Sequence, residues 1–331
     1  MKLRTISCAA LVSLTLGCDP EGQDAGDQRC FPLPVAERAG RVDEEEQGRS
    51  LQGGTLPGEK DQGTSLQGGR RPDEDLQGTS LGGGRGVPDR ENNGTTLAIG
   101  DLNGVRLSVA ATSAPVRSSD GELVADGHPD TESLRDVELA AVTSHGVEST
   151  VRVIAVDVGS IELSSGGVNV CGDGGRGVFV AGGWDARGAH ADDTDVVTFS
   201  CEDGVIAKCV GWGYSPWDTD AQTHQGCTRM ARADYCGDGV SWTLDGTIVD
   251  LYDRLGVQQM TPDSRFRFEA AWGPDGAICA SRTRYEIVDD GDVVLPPCLA
   301  ALPECESLDD AAAQGATLAN RSEPTTIDAC R

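Results

Sequence analysis

The stretch HQGCTRMARADYCGDG, His224 to Gly239, gathers side chains that could do chemistry. It holds one histidine, two cysteines nine residues apart, two arginines and two aspartates. A histidine oriented by a carboxylate is a common general base of hydrolysis, because its free pKa lies near neutral pH. His224 with Asp234 is therefore the candidate catalytic pair. The spacing works against it. Gln225 rather than an acid follows His224, and the nearest downstream acid is Asp234. Only three other histidines exist, His128, His145 and His190. The competing reading is structural: a hydrogen-bonding or surface histidine on a helix, and an Asp234 that pairs with Arg229 or Arg232 near a turn.

Other groups admit other chemistry. Asp192, Asp193 and Asp195 form one acidic cluster, and Asp289, Asp290 and Asp292 a second. Clustered carboxylates beside glycine can hold Ca²⁺ through oxygen, although EF-hand spacing is missing and solvated acidic loops are commoner. Zinc sites favour cysteines two to four residues apart, and Cys201–Cys209, Cys227–Cys236 and Cys298–Cys305 are all wider. CGDGGRG, Cys171 to Gly177, is glycine-rich but lacks the Lys-Ser/Thr of a phosphate-binding loop. Trp212, Tyr214 and Trp217 could line a glycan groove or, more simply, fill a core. No cofactor is expected, Ca²⁺ being the one candidate.

The chain around these groups is 331 residues long and carries a formal charge of −27. Such a chain repels phosphate backbones, and no local basic patch offsets the charge, so nucleic acid is excluded as a partner. Its resources are unevenly placed. All 14 aromatic residues except Phe31 lie between Phe179 and Tyr285. Beyond Cys30 every cysteine lies at or after Cys171.

The N-terminus reads as an address. Lys2 and Arg4 precede the short apolar stretch Ile6 to Leu16, which is too short to span a bilayer. Gly17-Cys18 then reads like the end of a bacterial lipobox, although Thr15 stands where leucine is usual. Parity supports lipidation of Cys18. Cys8 leaves with a signal peptide of residues 1–17, and an acylated Cys18 leaves ten cysteines: Cys30, Cys171, Cys201, Cys209, Cys227, Cys236, Cys279, Cys298, Cys305 and Cys330. Ten paired cysteines imply an oxidising compartment, the periplasm or cell surface.

Residues 18–93 are rich in Gly, Glu, Asp, Gln, Arg and Pro. GRSLQGG, GTSLQGG and GTSLGGG place Leu51, Leu66 and Leu81 fifteen residues apart, and Leu56 and Leu76 fall on the same five-residue grid. That period resembles pentapeptide solenoids. Asp61, Arg71 and Gly86 occupy grid positions, however, so charge would point inward. The expected role is a flexible low-complexity tether.

Residues 94–331 read as the folded domain: mainly β, β-rich α+β, with one principal helix. VRLSVA, VELAAV, TVRVIAVDV, GVFVAGGW, DVVTFSC and GVIAKCVGW read as strands. RFRFEAAW-GPDG-AICASRTRYEIV reads as a hairpin in which Phe266, Phe268, Ala270 and Trp272 share a face. The helix spans Thr219 to Tyr235, capped by Asp218 or Thr219 and stopped at Gly237. A short second helix is expected around Ser307 to Ala313.

CVGWGYSPW (Cys209 to Trp217), RADYCGDG (Arg232 to Gly239) and FEAAWGPDGAIC (Phe268 to Cys279) follow one another in order. Together they resemble the ADYC-domain proteins, named after the Ala-Asp-Tyr-Cys string found here at Ala233 to Cys236. The resemblance covers Leu102 to Cys305. It implies a secreted or lipid-anchored protein of Gram-negative bacteria and carries no activity with it.

Helix geometry makes one firm expectation. On a helix Cys227 and Cys236 differ by about 180° and about 13 Å, whereas a disulfide needs Cα atoms within about 7 Å. The two should bond elsewhere, each to a different part of the β framework. Met230 and Ala231 should face the core, with Arg229 and Arg232 reaching solvent or nearby acids. The functional reading is a lipid-anchored envelope protein, on the outer membrane, the periplasmic face or the cell surface. Its domain is a non-catalytic binding or structural module with an envelope protein or polymer as partner. The alternative is a secreted hydrolase using His224 with an acid.

Overall fold

The computed structural model describes residues 102–157, 159–185, 187–244 and 247–329, together with Phe31 and the pair Gln67–Gly68. Cys18, Cys30 and Cys330, and nearly all of the expected tether, lie outside the described residues.

Strand β1 is Gln67–Gly68. The first folded unit then runs β2 (Arg106–Val109), β3 (Pro115–Ser119), β4 (Glu122–Val124), β5 (Glu138–Val142), β6 (Glu148–Asp157), β7 (Ser160–Ser165), β8 (Val168–Asn169), β9 (Gly177–Ala181), β10 (Gly183–Trp184), β11 (His190–Ala191) and β12 (Val197–Cys201). Alternation builds it. In β6, Ser149, Val151 and Val153 point inward between exposed neighbours until the register shifts at Val153/Ala155.

Antiparallel pairing runs β2–β5–β6–β7–β9–β12. Val105, one residue before β2, then exchanges both backbone hydrogen bonds with Val197 of β12 at 2.9 and 2.8 Å. This bridge closes the ladder into a six-stranded ring, which protects its edges from further pairing. Leu107, Leu139, Val151, Leu163, Phe179 and Phe199 fill the interior.

The second unit contains helices α1 (Val205–Gly211) and α2 (Ala221–Arg232), strands β13 (Val249–Asp253), β14 (Arg267–Gly273), β15 (Gly276–Ala280), β16 (Tyr285–Asp289) and β17 (Asp292–Val294), helix α3 (Leu308–Ala312), and strands β18 (Leu318–Ser322) and β19 (Thr325–Asp328). One sheet has the order β1–β13–β18–β14–β15, and β17–β16–β19 form a small second sheet. Helix α2 packs on β14, β15 and β18. Gly226 permits this: a Cβ there would stand 3.3 Å from Leu318 and 3.4 Å from the Gly273 backbone.

The domain is β-rich, with α2 as its longest helix, as its sequence patterns predict. Several details differ. GVIAKCVGW contains a helix rather than a strand. Its residues Val205 to Cys209 are all buried, Lys208 included, so the run is buried on every side and its periodicity does not distinguish the two. The cap of α2 is Asp220, whose carboxylate accepts from the Thr223 backbone N–H at 2.8 Å. The helix stops at Ala233 rather than at Gly237. In β14, register shifts at Phe268/Ala270 and Ala271/Trp272 break the strict alternation, and Ala270 and Ala271 are both buried.

Phe31 also differs from its expected place in a tether. It is buried against Trp242, with stacked ring centroids 5.9 Å apart, and its N–H donates to the Asp328 carbonyl at 2.6 Å.

Candidate functional site

The Ala-Asp-Tyr-Cys string lies where α2 ends. Ala233 adopts the left-handed conformation, φ +52°. Its N–H bonds to Met230 O at 3.1 Å, and the next N–H, from Asp234, bonds to Arg229 O at 2.9 Å. These two bonds are the Schellman pattern that satisfies the last helical carbonyls. The position usually takes glycine; here the methyl group is fully buried.

Asp234 turns its carboxylate into a closed shell. Oδ2 accepts from Arg229 Nη1 at 2.5 Å and from the Gly239 backbone N–H at 3.1 Å. Oδ1 accepts from the Asp238 N–H at 3.2 Å. Arg232 stands 3.8 Å away and donates to the Gly239 carbonyl. Burial pushes the Asp234 carboxyl above its usual range against the pull of Arg232 and Arg229. Neither arginine reaches solvent: Arg229 is 2% exposed and Arg232 is 0% exposed.

Tyr235 leads to a second network. Its hydroxyl donates to Glu269 Oε1 at 2.9 Å and accepts from the Arg284 backbone N–H at 2.6 Å. Glu269 also receives Arg284 Nε and Nη2 at 3.1 Å each, Asn320 Nδ2 at 2.8 Å and Ser322 Oγ at 2.6 Å. Arg284 continues to the carbonyls of Ala231 (3.0 Å) and Met230 (2.7 Å), covering the end of α2 with positive charge. Burial pushes the Glu269 carboxyl up, but Arg284, the Ser322 hydroxyl and Arg282 outweigh it and hold the group below its usual range. Burial and the neighbouring Glu269 push the Tyr235 hydroxyl well above its usual value.

Cys236 completes the motif by bonding to Cys298. Gly237 follows at φ +63°, and any Cβ there would collide with the Asp275 carbonyl. The CGDG and GPDG turns therefore meet backbone to backbone, and only glycine fits.

Cys227 bonds to Cys209 of α1, so Cys227 and Cys236 are pinned to different partners, as helix geometry predicts. Neither partner lies on a strand of the β framework, contrary to expectation: Cys209 is in α1, and Cys298 caps the short 3-10 helix Leu299–Ala301. Cys171–Cys201 and Cys279–Cys305 complete the disulfides of the described residues.

His224 is 1% exposed. Its Nδ1 lies 2.7 Å from the Tyr214 carbonyl, an acceptor only, so Nδ1 carries the proton. Nε2 has no partner among the described residues, and the imidazole packs edge-on with Trp184, ring centroids 6.1 Å apart. Burial lowers its pKa to about 4. The partners of His224 and Asp234 are disjoint, so the structure does not bring the two together as an acid–base pair.

Asp192, Asp193 and Asp195 are exposed. Asp195 faces Arg117 at 3.4 Å, and Asp193 accepts from the Asp195 N–H at 2.9 Å. Asp289 to Asp292 form the turn between β16 and β17, with Asp290 and Gly291 at positive φ, as a tight hairpin requires. Among the described residues no group of three or more His, Cys, Asp or Glu is placed to hold a metal ion. Trp212 and Tyr214 are buried, and Trp217 lies over Gly121. The Cys171–Gly177 loop is tied down by the Cys171–Cys201 bond. A cleft of about 320 Å³ on the first unit has Arg117, Asp126 and His128 in its wall.

The Glu269 network is scarcely legible in the sequence. The available signal was a lone acid in FEAAW, amid residues that otherwise bury.

These features define a disulfide-stabilised β-rich domain whose signature motif is a buried junction of helix, turn and sheet. The ADYC domain family model matches residues 101–286, more than half the chain, and the protein belongs to that family. No curated protein and no solved structure matches it. The fold continues past the matched span: Asn320 and Ser322, which complete the Glu269 shell, lie on β18 in the middle of the sheet.

Proposed function

We propose that this protein is a lipid-anchored envelope protein whose ADYC domain is a non-catalytic binding or structural module. The observation that carries this reading is the internal use of the motif's polar groups. Asp234 and Tyr235 bond to buried partners, and both are at most 1% exposed. Hydrolysis by a histidine and an acid needs the base within reach of a substrate proton, in a site that a substrate can enter. The leader Met1–Gly17 and Cys18 support the lipid, and the charge of −27 favours a protein or uncharged polymer partner over nucleic acid.

Intact-mass analysis of protein extracted from envelopes tests the anchor, with an acylated N-terminal cysteine as the expected result. A mature chain beginning elsewhere refutes it. Hydrolase screens on wild type and His224→Ala test the non-catalytic part. A wild-type activity that His224→Ala abolishes would establish the hydrolase reading instead. Capture of an envelope component by the immobilised protein separates a binding role from a structural one.

A further inference from the structure

Phe31 is one of two places, with Gln67–Gly68 of β1, where the described N-terminal residues meet the domain. It pairs in parallel with Ala329, its N–H bonds to Asp328 O at 2.6 Å, and its ring is buried against Trp242 and Tyr285. The sequence neighbours of this pair are Cys30 and Cys330. Of the twelve cysteines, eight form the four disulfides of the described residues. The others are Cys8 of the leader, Cys18 directly after it, and Cys30 and Cys330.

Paired strands lie about 5 Å apart, and each cysteine is one Cα step of about 3.8 Å from its paired neighbour. The two cysteine Cα atoms can therefore stand no more than about 12 Å apart. Within that bound, backbone rotation next to the paired residues reaches the roughly 5.5–6 Å of a bonded pair.

We propose that Cys30 and Cys330 form a further disulfide that clasps the N-terminal part of the chain to its C-terminal end. The bond forms between the two Sγ atoms as both thiols lose a proton. The two electrons reduce the disulfide of an oxidised dithiol protein, which becomes a dithiol. The clasp changes the layout of the anchor, a consequence that rests on the lipid reading above. Only 13 residue steps separate Cys18 from Phe31, a reach of at most about 45 Å. The stem under the domain is then short. The chain between Phe31 and Leu102, which also meets the sheet at Gln67–Gly68, then begins and ends on the domain and is not the spacer beneath it.

Tryptic mapping of the full chain without reduction is the direct test. Residues 30–38 (CFPLPVAER) should be linked to residues 322–331 (SEPTTIDACR). Free thiols at both positions, or Cys30 linked to any other cysteine, overturns the proposal. A site-specific protease sequence inserted after Asp61 gives a second readout. After cleavage the chain should run as one band without reductant and two with it, whereas Cys330→Ser should give two bands in both. Two bands from the cysteine-intact chain without reductant overturns the clasp. If Cys18 carries no lipid, the uncleaved chain fractionates as soluble; the lipid reading then fails, and the gel still decides the clasp.

Discussion

Tyr235 and Arg284 are joined twice. The tyrosine hydroxyl accepts the Arg284 backbone N–H at 2.6 Å, and the hydroxyl and the guanidinium both end on the carboxylate of Glu269. Forty-nine residues of sequence separate the two, and the contact fastens the end of α2 to the segment that enters β16.

Tyr235→Phe should therefore destabilise the domain by about 1–3 kcal/mol, because it strips a partner from a buried carboxylate and a buried N–H. Glu269→Ala should cost more, about 3–5 kcal/mol, since Arg284 is left buried without its counter-charge. Urea unfolding should show lower midpoints in that order at unchanged slope. Equal midpoints for Tyr235→Phe and wild type would remove the hydroxyl from the account.

Gly237 and Gly256 both have positive φ, but only Gly237 faces backbone where a Cβ would go. Gly256→Ala should cost about 1 kcal/mol from conformation alone. Gly237→Ala should cost clearly more, because the Asp275 turn must move. Thermal melts of the two variants side by side check the difference.

The Cys236–Cys298 bond closes a separation of 62 residues and Cys209–Cys227 one of 18. Loop-closure entropy then assigns about 4 and about 3 kcal/mol respectively. Paired Cys→Ser variants should rank in that order in denaturant titrations. A reversed order would mean that the junction around Cys236 holds without its bond.

His224 is neutral when folded, its pKa lowered by burial to about 4 from 6.5. The unfolded chain therefore binds a proton first as pH falls. The stability gained from the neutral ring is complete above pH 6.5 and is lost progressively down to about pH 4. It amounts to about 3 kcal/mol. His224→Gln should flatten the stability profile between pH 6.5 and 4 relative to wild type. Parallel profiles would place His224 in contact with solvent.

What the sequence by itself determined is local. The alternation in TVRVIAVDV, the apolar face of α2 around Met230 and Ala231, the Pro-Asp-Gly turn and the refusal of Cys227 to bond Cys236 all follow from neighbours within a few residues. Backbone geometry acts at that range. GVIAKCV was the exception. A run buried on all sides has no periodicity to read, and packing against α2 decided that it is a helix.

The tertiary structure alone decided the long-range pairings. Val105 closes the ring on Val197, Phe31 enters the core beside Ala329, and Glu269 collects Tyr235, Arg284, Asn320 and Ser322 from three segments. It also turned Arg229 and Arg232 inward, where the sequence reading allowed them solvent. A buried charge is stable only when its partners arrive together, and chain folding, not residue order, brings them there.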